Sequence, residues 1–193
     1  MANSPDLNTP MTDDQIIAAT VGERRPLNST IHLAPYNPEW PLLFARLKNR
    51  IHAALENDML LLEHVGSTSV PGLSAKPIID MVLAVVDSSN EAAYVNRLVK
   101  KEFVLRIRGP DWHEHRLLKS SDIKTNLHVF SDGCEEIDRM LLFRDWLRTH
   151  DDDRLLYEET KRVLAARTWK YKQNYADAKS KVVQEILAKA RNN

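Results

Sequence analysis

Between Glu63 and Asp80 the chain reads EHVGSTSVPGLSAKPIID, and the chemistry open to this stretch is the capture of an anion. It holds two of the chain's five glycines, three serines, a threonine and a lysine between two apolar runs. Gly66 directly after a strand lets the backbone approach a ligand closely. The N–H groups there, the hydroxyls of Ser67, Thr68 and Ser69, and the point charge of Lys76 suit a phosphate. Asp80 lies inside the apolar run Ile78–Val86. A carboxylate without a partner in a buried strand is costly to desolvate. Asp80 is therefore expected at a strand end, in a site, beside a cation, metal or donor.

The elements that must position these residues are legible from spacing. Ile78–Val86 is nearly all apolar and β-branched, as in a strand covered on both faces. Met59–Val65 is a second buried strand. Trp40, Leu43, Phe44, Leu47, Ile51, Ala54 and Leu55 form one helical stripe after Pro38, and Pro38 and Pro41 fit a first helical turn. A short helix near Asp13–Thr20, an edge strand at Ile31–Leu33 and a helix over Ser88–Glu102 are expected. Phe103–Ile107, His115–Lys119 and Thr125–Phe130 predict three more strands, and three helices follow Glu135. Asp151–Asp153 are placed to cap the second of these. The fold class is α/β, a mixed sheet with helices against it. The organisation is an irregular N-terminal arm over 1–30, a sheet domain over 31–134 and a helical portion over 135–193 packed on it.

Composition narrows the classes. The 193 residues carry 27 basic and 27 acidic side chains, so the net charge is zero. A single cysteine, Cys134, excludes an internal disulfide framework and CxxC zinc sites. No apolar run approaches the roughly 18 residues of a membrane helix, and the N-terminus lacks a secretory pattern. A cytoplasmic protein with no membrane partner is the expectation. Residues 161–193 hold nine Lys/Arg against two acids, with Trp169, Tyr171 and Tyr175 interleaved. Arg167, Lys170, Tyr171 and Lys172 are thus candidates for RNA contact; the competing reading is a solvated helix face.

The string EHVGSTSVPGLSAKPIIDM, with PYNPEWP before it and NLHVF and FRDWLRTH after it, resembles the GrpB family of the nucleotidyltransferase superfamily. The resemblance runs from about Ile31 to Ala190. It implies a nucleotidyltransferase-like fold with C-terminal helices. It also implies a site of Ser67, Asp80 and His128, with Glu63, His64, Gly66, Thr68, Ser69, Lys76, Arg116, Arg144 and Arg148 around the substrate. Active nucleotidyltransferases carry two carboxylates on the strand of Asp80 and a third on a later strand, because paired divalent ions need several hard oxygen ligands. Here Met81 and Val82 follow Asp80, and the later strand offers His128.

Some fungal proteins resembling this family are arginine-specific cyclodipeptide synthases. The resemblance therefore implies a metal-free acyl transfer from aminoacyl-tRNA, including arginyl-tRNA, that joins two amino acid moieties into a cyclic dipeptide. Such a reaction needs a nucleophile, a base and oxyanion donors. Ser67 would accept or orient the acyl group, and Asp80 or Glu63 would pair with the guanidinium. No cofactor and no DNA partner are expected. The rivals are a nucleotidyltransferase dependent on Mg and a non-catalytic nucleotide- or RNA-binding module. His113 and His115, on one side of a strand, would with His128 offer three zinc ligands. No metal is assigned on that basis.

Overall fold

The computed structural model describes residues 10–23 and 26–192; residues 1–9 and 24–25 of the expected arm lie outside the described residues. Five strands are β1 (Leu61–Val65), β2 (Ile79–Val85), β3 (Phe103–Gly109), β4 (His115–Ser120) and β5 (Thr125–Ser131). The helices are α1 (Asp13–Ala18), α2 (Glu39–Leu55), α3 (Val95–Val99), α4 (Glu135–Thr149), α5 (Asp151–Ala165), α6 (Lys172–Asp177) and α7 (Ser180–Arg191). The sheet order is β1-β2-β5-β4-β3. β2 and β5 are parallel and the other pairs antiparallel. The mixed α/β class expected from the sequence is the class observed.

Strand alternation assigns the two faces of β2 to different partners. Ile79, Met81, Leu83 and Val85 point toward α2, whose Leu47, Ile51 and Leu55 are fully buried in the same cluster. Val82 and Ala84 point the other way, onto Phe130 of β5 and Ile137 of α4. Both faces are covered, which is why β2 has no polar alternation. Asp80 belongs to the α4 face, at the end of β2 where it pairs with Val65 and Asn126.

A third cluster sets the site. Val70 and Leu73, in the loop between β1 and β2, pack with Leu147 of α4, Tyr157 of α5, and Val182 and Ile186 of α7. Burying these side chains, each worth about 1.5–3 kcal/mol, fixes the C-terminal helices over the loop and hence over the Asp80 end of β2.

Some sequence expectations change. The helix over Ser88–Glu102 shrinks to a 3-10 turn at Glu91–Ala93 and the five residues of α3. Local polar bonds hold its start out of helical geometry: Ser89 N–H donates to Asp87 Oδ1 at 2.8 Å and the Tyr94 hydroxyl donates to Ser88 O at 2.8 Å. Ile31–Leu33 is extended but forms no strand; isolated bridges join Ser29 to Trp169 and Ala34 to Ala75. The last expected helix is two, α6 and α7. His113 and Glu114 turn with φ of 53° and 49°, so His113 and His115 do not share a strand face.

Candidate functional site

The site begins at Gly66. Its φ of 68° and ψ of −172° lie in a region essentially reserved for glycine. A Cβ there would stand 2.6 Å from Asp80 Oδ2. Glycine thus lets the corner after β1 close against the carboxylate of β2. A 3-10 turn over Ser67–Ser69 follows. Its hydroxyls have different fates. Ser69 Oγ donates to Gly66 O at 2.6 Å and closes the turn on itself, while Thr68 Oγ1 donates to Ile78 O at 3.1 Å and meets His64 Nε2 at 3.0 Å, tying the turn to the ends of β1 and β2. Ser67 Oγ accepts instead from Lys161 Nζ of α5 at 3.2 Å. Lys161 is 2% exposed and also donates to Ser74 O.

Three lysines converge here. Lys161 lies over the Tyr157 ring at 4.8 Å, and Lys76 and Lys179 each lie 4.9 Å from the Tyr175 ring. Aromatic faces substitute in part for counter-ions. Burial, with the neighbouring Lys179 charge, pushes Lys161 down to about 7 against the pull of Glu158. Burial and Lys179 likewise push Lys76 down to about 8, with Asp80 pulling the other way. Asp80 Oδ1 accepts from Asn126 Nδ2 at 2.7 Å. The hydroxyl of Tyr175, a residue 1% exposed, has no hydrogen-bond partner. The cluster behind the turn, called the lysine pocket below, therefore gathers three lysines, one carboxylate and one orphaned hydroxyl.

The expected constellation divides at the 67–69 turn. Gly66, Ser67, Lys76 and Asp80 meet the lysines. Glu63, His64, Ser69 and Arg148 line a separate cleft of about 590 Å³ with Tyr36 and Phe44. His64 stacks on Phe44 at 4.8 Å, and burial plus the Arg148 and Arg144 charges push it down to about 4. Arg144 donates to Glu63 Oε2 at 2.7 Å and to His64 O at 3.0 Å, which ties α4 to β1. Arg148 donates to Ser69 O at 2.9 Å.

Other candidates are corrected. Arg116 is bound to Glu91 at 2.7 Å and to Glu114, remote from the turn, and serves the β3–β4 end of the sheet. Thr68 and Ser69 do not face the lysines, since their hydroxyls are spent locally. His128 lies on the Asp80 face of the sheet, opposite Val82, and stacks with His115, their ring nitrogens 3.1 Å apart; burial lowers its proton affinity against the pull of Asp80. Tyr171 is 6% exposed, so its ring is not offered to a base. Arg167, Lys170 and Lys172 are exposed, and Lys170 pairs with Asp13. Lys161, Lys179, Asn126 and Tyr175 are the residues sequence reasoning missed. The helical setting of Lys161 and Lys179 resembles any solvated face, and only the loop packing turns these two lysines inward. Among the described residues no group of three His, Cys, Asp or Glu side chains could hold a metal.

The model of the family described as "GrpB protein" matches residues 30–189. The chain belongs to the GrpB family. A UPF0157 protein of Halalkalibacterium halodurans is 55% identical over 183 residues, spanning 95% of this chain and 94% of the relative. A crystal structure of the conserved protein GrpB from Enterococcus faecalis has a TM-score of 0.69 at 25% identity, covering 83% of this chain and 98% of that one. A protein of Mycolicibacterium paratuberculosis named dephospho-CoA kinase is 29% identical over 172 residues, which span 75% of this chain and 42% of that relative. No helix in the described residues of this GrpB-family chain is long and apolar enough to cross a membrane.

Proposed function

We propose that this GrpB-family chain is a group-transfer enzyme on a nucleotidyltransferase-like scaffold, which grips the phosphorylated end of a carrier in the lysine pocket and works without paired divalent ions. The observation that carries the reading is the excess of Lys76, Lys161 and Lys179 over the single carboxylate of Asp80. A buried surplus of cations is unfavourable until an anion enters. Orphaned Tyr175 adds a buried donor in contact with two of the lysines.

The donor set argues against a two-metal centre. Asp80 supplies the one carboxylate of β2, its Oδ1 is engaged by Asn126, and Val82 offers no oxygen where a second ligand would stand. Two closely spaced Mg ions need more hard oxygens than this. The name of the Mycolicibacterium relative, dephospho-CoA kinase, fits a phosphate-bearing substrate class.

The narrower form of the proposal is acyl transfer from aminoacyl-tRNA to an arginine-containing cyclic dipeptide. It is supported by the absence of a carboxylate pair and by the exposed Arg167 and Lys172 beside the pocket helices. The guanidinium partner lacks support, because Arg144 holds Glu63 and the charges of Lys76 and Lys179 already face Asp80.

Thermal unfolding with inorganic phosphate, pyrophosphate, AMP or a tRNA acceptor stem, each with and without Mg, tests the reading. A ligand that binds only the folded chain raises its stability as its concentration passes Kd. Stabilisation without Mg, lost in Lys76→Met, is expected. Pyrophosphate release from a nucleoside triphosphate that requires Mg would overturn it. Mass spectrometry of small molecules made by an expressing host tests the narrower form, which falls if no arginine-containing diketopiperazine is released.

A further inference from the structure

We propose that Ser67 is a nucleophile and Lys161 its base, so that the transferred group passes through an ester on Ser67. This rests on the pocket described above and names its covalent step.

The geometry is that of an activated serine. Ser67 stands at the corner between β1 and the 3-10 turn, half-buried, directly after a glycine held in glycine-only backbone geometry. Of three consecutive hydroxyls it alone meets a lysine: Thr68 Oγ1 is held by Ile78 O and His64 Nε2, Ser69 Oγ donates to Gly66 O, and Ser67 Oγ accepts from Lys161 Nζ at 3.2 Å. Lys161 is immobilised by Ser74 O and the Tyr157 ring, so the amine is aimed at the hydroxyl. The groups that face it are Lys179 from the α6–α7 junction, Lys76 from the loop, and Glu158 and Tyr157 from its own helix. The two lysines and burial outweigh Glu158, and a substantial fraction of Lys161 is the free amine near neutral pH. A neutral lysine beside a serine can replace the histidine of a triad.

The step balances without redox chemistry or metal. Lys161 Nζ takes the Ser67 hydroxyl proton as Oγ bonds the carbonyl carbon of an activated ester. The bond from that carbon to the carrier oxygen breaks, and the departing oxygen takes the proton from Lys161. An amine then attacks the ester on Ser67: its nitrogen bonds the carbonyl carbon, the bond from that carbon to Oγ breaks, and the proton the amine sheds passes through Lys161 to Oγ, restoring the Ser67 hydroxyl. The substrate class is a reactive ester on a phosphorylated carrier, with an amine as acceptor.

The test uses the intact chain and a fluorophosphonate probe, with the adduct located by peptide mass spectrometry. Stoichiometric labelling of Ser67 is expected, absent in Ser67→Ala, with a rate that climbs from pH 6 and levels above about pH 7.5. Lys161→Arg keeps a cation and donors but removes the base. It should slow labelling on the order of 100-fold, the usual scale for losing a general base, and erase the inflection near pH 7. Lys161→Met repeats the test if arginine does not fit, with circular dichroism to confirm folding. Labelling of Ser67 no faster than of surface serines, or labelling indifferent to both Lys161 variants, would sink the proposal. Phosphate binding by the wild type distinguishes the two readings. Binding without labelling removes the nucleophile and leaves the pocket; labelling without binding removes the phosphorylated carrier and leaves the nucleophile.

Discussion

The two sides of the 67–69 turn both gather basic side chains, and they treat them in opposite ways. On the cleft side Arg144 is matched by Glu63, Asp145 and the His64 carbonyl, and Arg148 by the Ser69 carbonyl and Asp145. On the pocket side no carboxylate lies within ion-pair distance of Lys76, Lys161 or Lys179 among the described residues, in contrast to Lys170, which pairs with Asp13, and Lys189, which pairs with Asp153. A guanidinium whose fork is filled by the protein fastens elements together. An ammonium held over a tyrosine face without a carboxylate at ion-pair distance is left with binding capacity. Burial lowers the proton affinity of Lys76 and Lys161, while for Lys179 burial is outweighed by the Tyr157, Tyr175 and Asp80 charges, which raise it. Unmatched charge, rather than charge itself, marks the site.

The contrast breaks most visibly at Arg144. Its side chain is 10% exposed and its removal strands Glu63, Asp145 and a buried carbonyl. Arg144→Ala should lose about 3 kcal/mol of stability, at the lower end for a broken buried pair because Glu63 is half exposed. A urea melt checks this, and a loss under about 0.5 kcal/mol would end the idea that the cleft arginines are structural ties. Gly66→Ala comes next, at about 2 kcal/mol. It combines positive-φ strain with a Cβ placed 2.6 Å from Asp80 Oδ2. Because Asp80 must move, phosphate binding should weaken as well; a variant of unchanged melting temperature would show that the corner has room to relax.

On the pocket side the same kind of change should act on binding and spare the fold. Lys76→Met is expected to leave stability equal or slightly higher, since an incompletely matched buried charge is removed. It should cost phosphate affinity about tenfold, or about 1.4 kcal/mol. The pH dependence sharpens this. Lys161 and Lys76 fall to about 7 and about 8 in the fold from an ordinary 10.5. Between about pH 7 and pH 10 the unfolded chain therefore keeps protons that the folded chain has released, so stability rises with pH across that window. Below pH 7 both states are protonated and the rise is absent. Phosphate binding has the opposite slope and weakens above about pH 8, because it needs the ammonium forms. Chemical denaturation at pH 6.5 and 9 reads the first slope and calorimetric titration the second. A stability curve as steep in the Lys76→Met, Lys161→Met double variant as in the wild type would exclude the lysines as its source.

What the sequence makes legible follows from which forces act locally. The apolar run of β2 and the three-four spacing of Trp40, Leu47, Ile51 and Leu55 encode burial directly, so the sheet and α2 are where periodicity puts them. Ser88–Glu102 has helical spacing too, yet the Asp87 carboxylate and the Tyr94 hydroxyl bind the backbone of Ser89 and Ser88 locally and leave only α3. In the site, Gly66 and Asp80 are legible because a glycine after a strand and a carboxylate in an apolar run are each anomalous. Asn126 was not, since an amide on a strand is ordinary until register sets it opposite Asp80. Lys161 and Lys179 were hidden for a stronger reason. They lie more than 80 residues along the chain from Ser67, and what turns them inward is the packing of Val70 and Leu73 on α5 and α7. That is tertiary information, absent from any local window.

The smallest expected effect concerns Lys172, which is exposed at the start of α6 and acts on Lys76 only through space. If the comparison holds, its charge steers an anion toward the pocket but does not grip it. Lys172→Glu should therefore weaken phosphate binding about twofold in low salt. The difference should vanish near 1 M salt, where the screening length falls to about 3 Å. Lys76→Met should keep most of its loss at the same ionic strength, because a buried contact is screened far less. A Lys172→Glu defect that persists in high salt would place Lys172 in the pocket itself, and a defect in tRNA acceptor-stem binding much larger than that for phosphate would make the exposed flank of α6 part of the carrier's track.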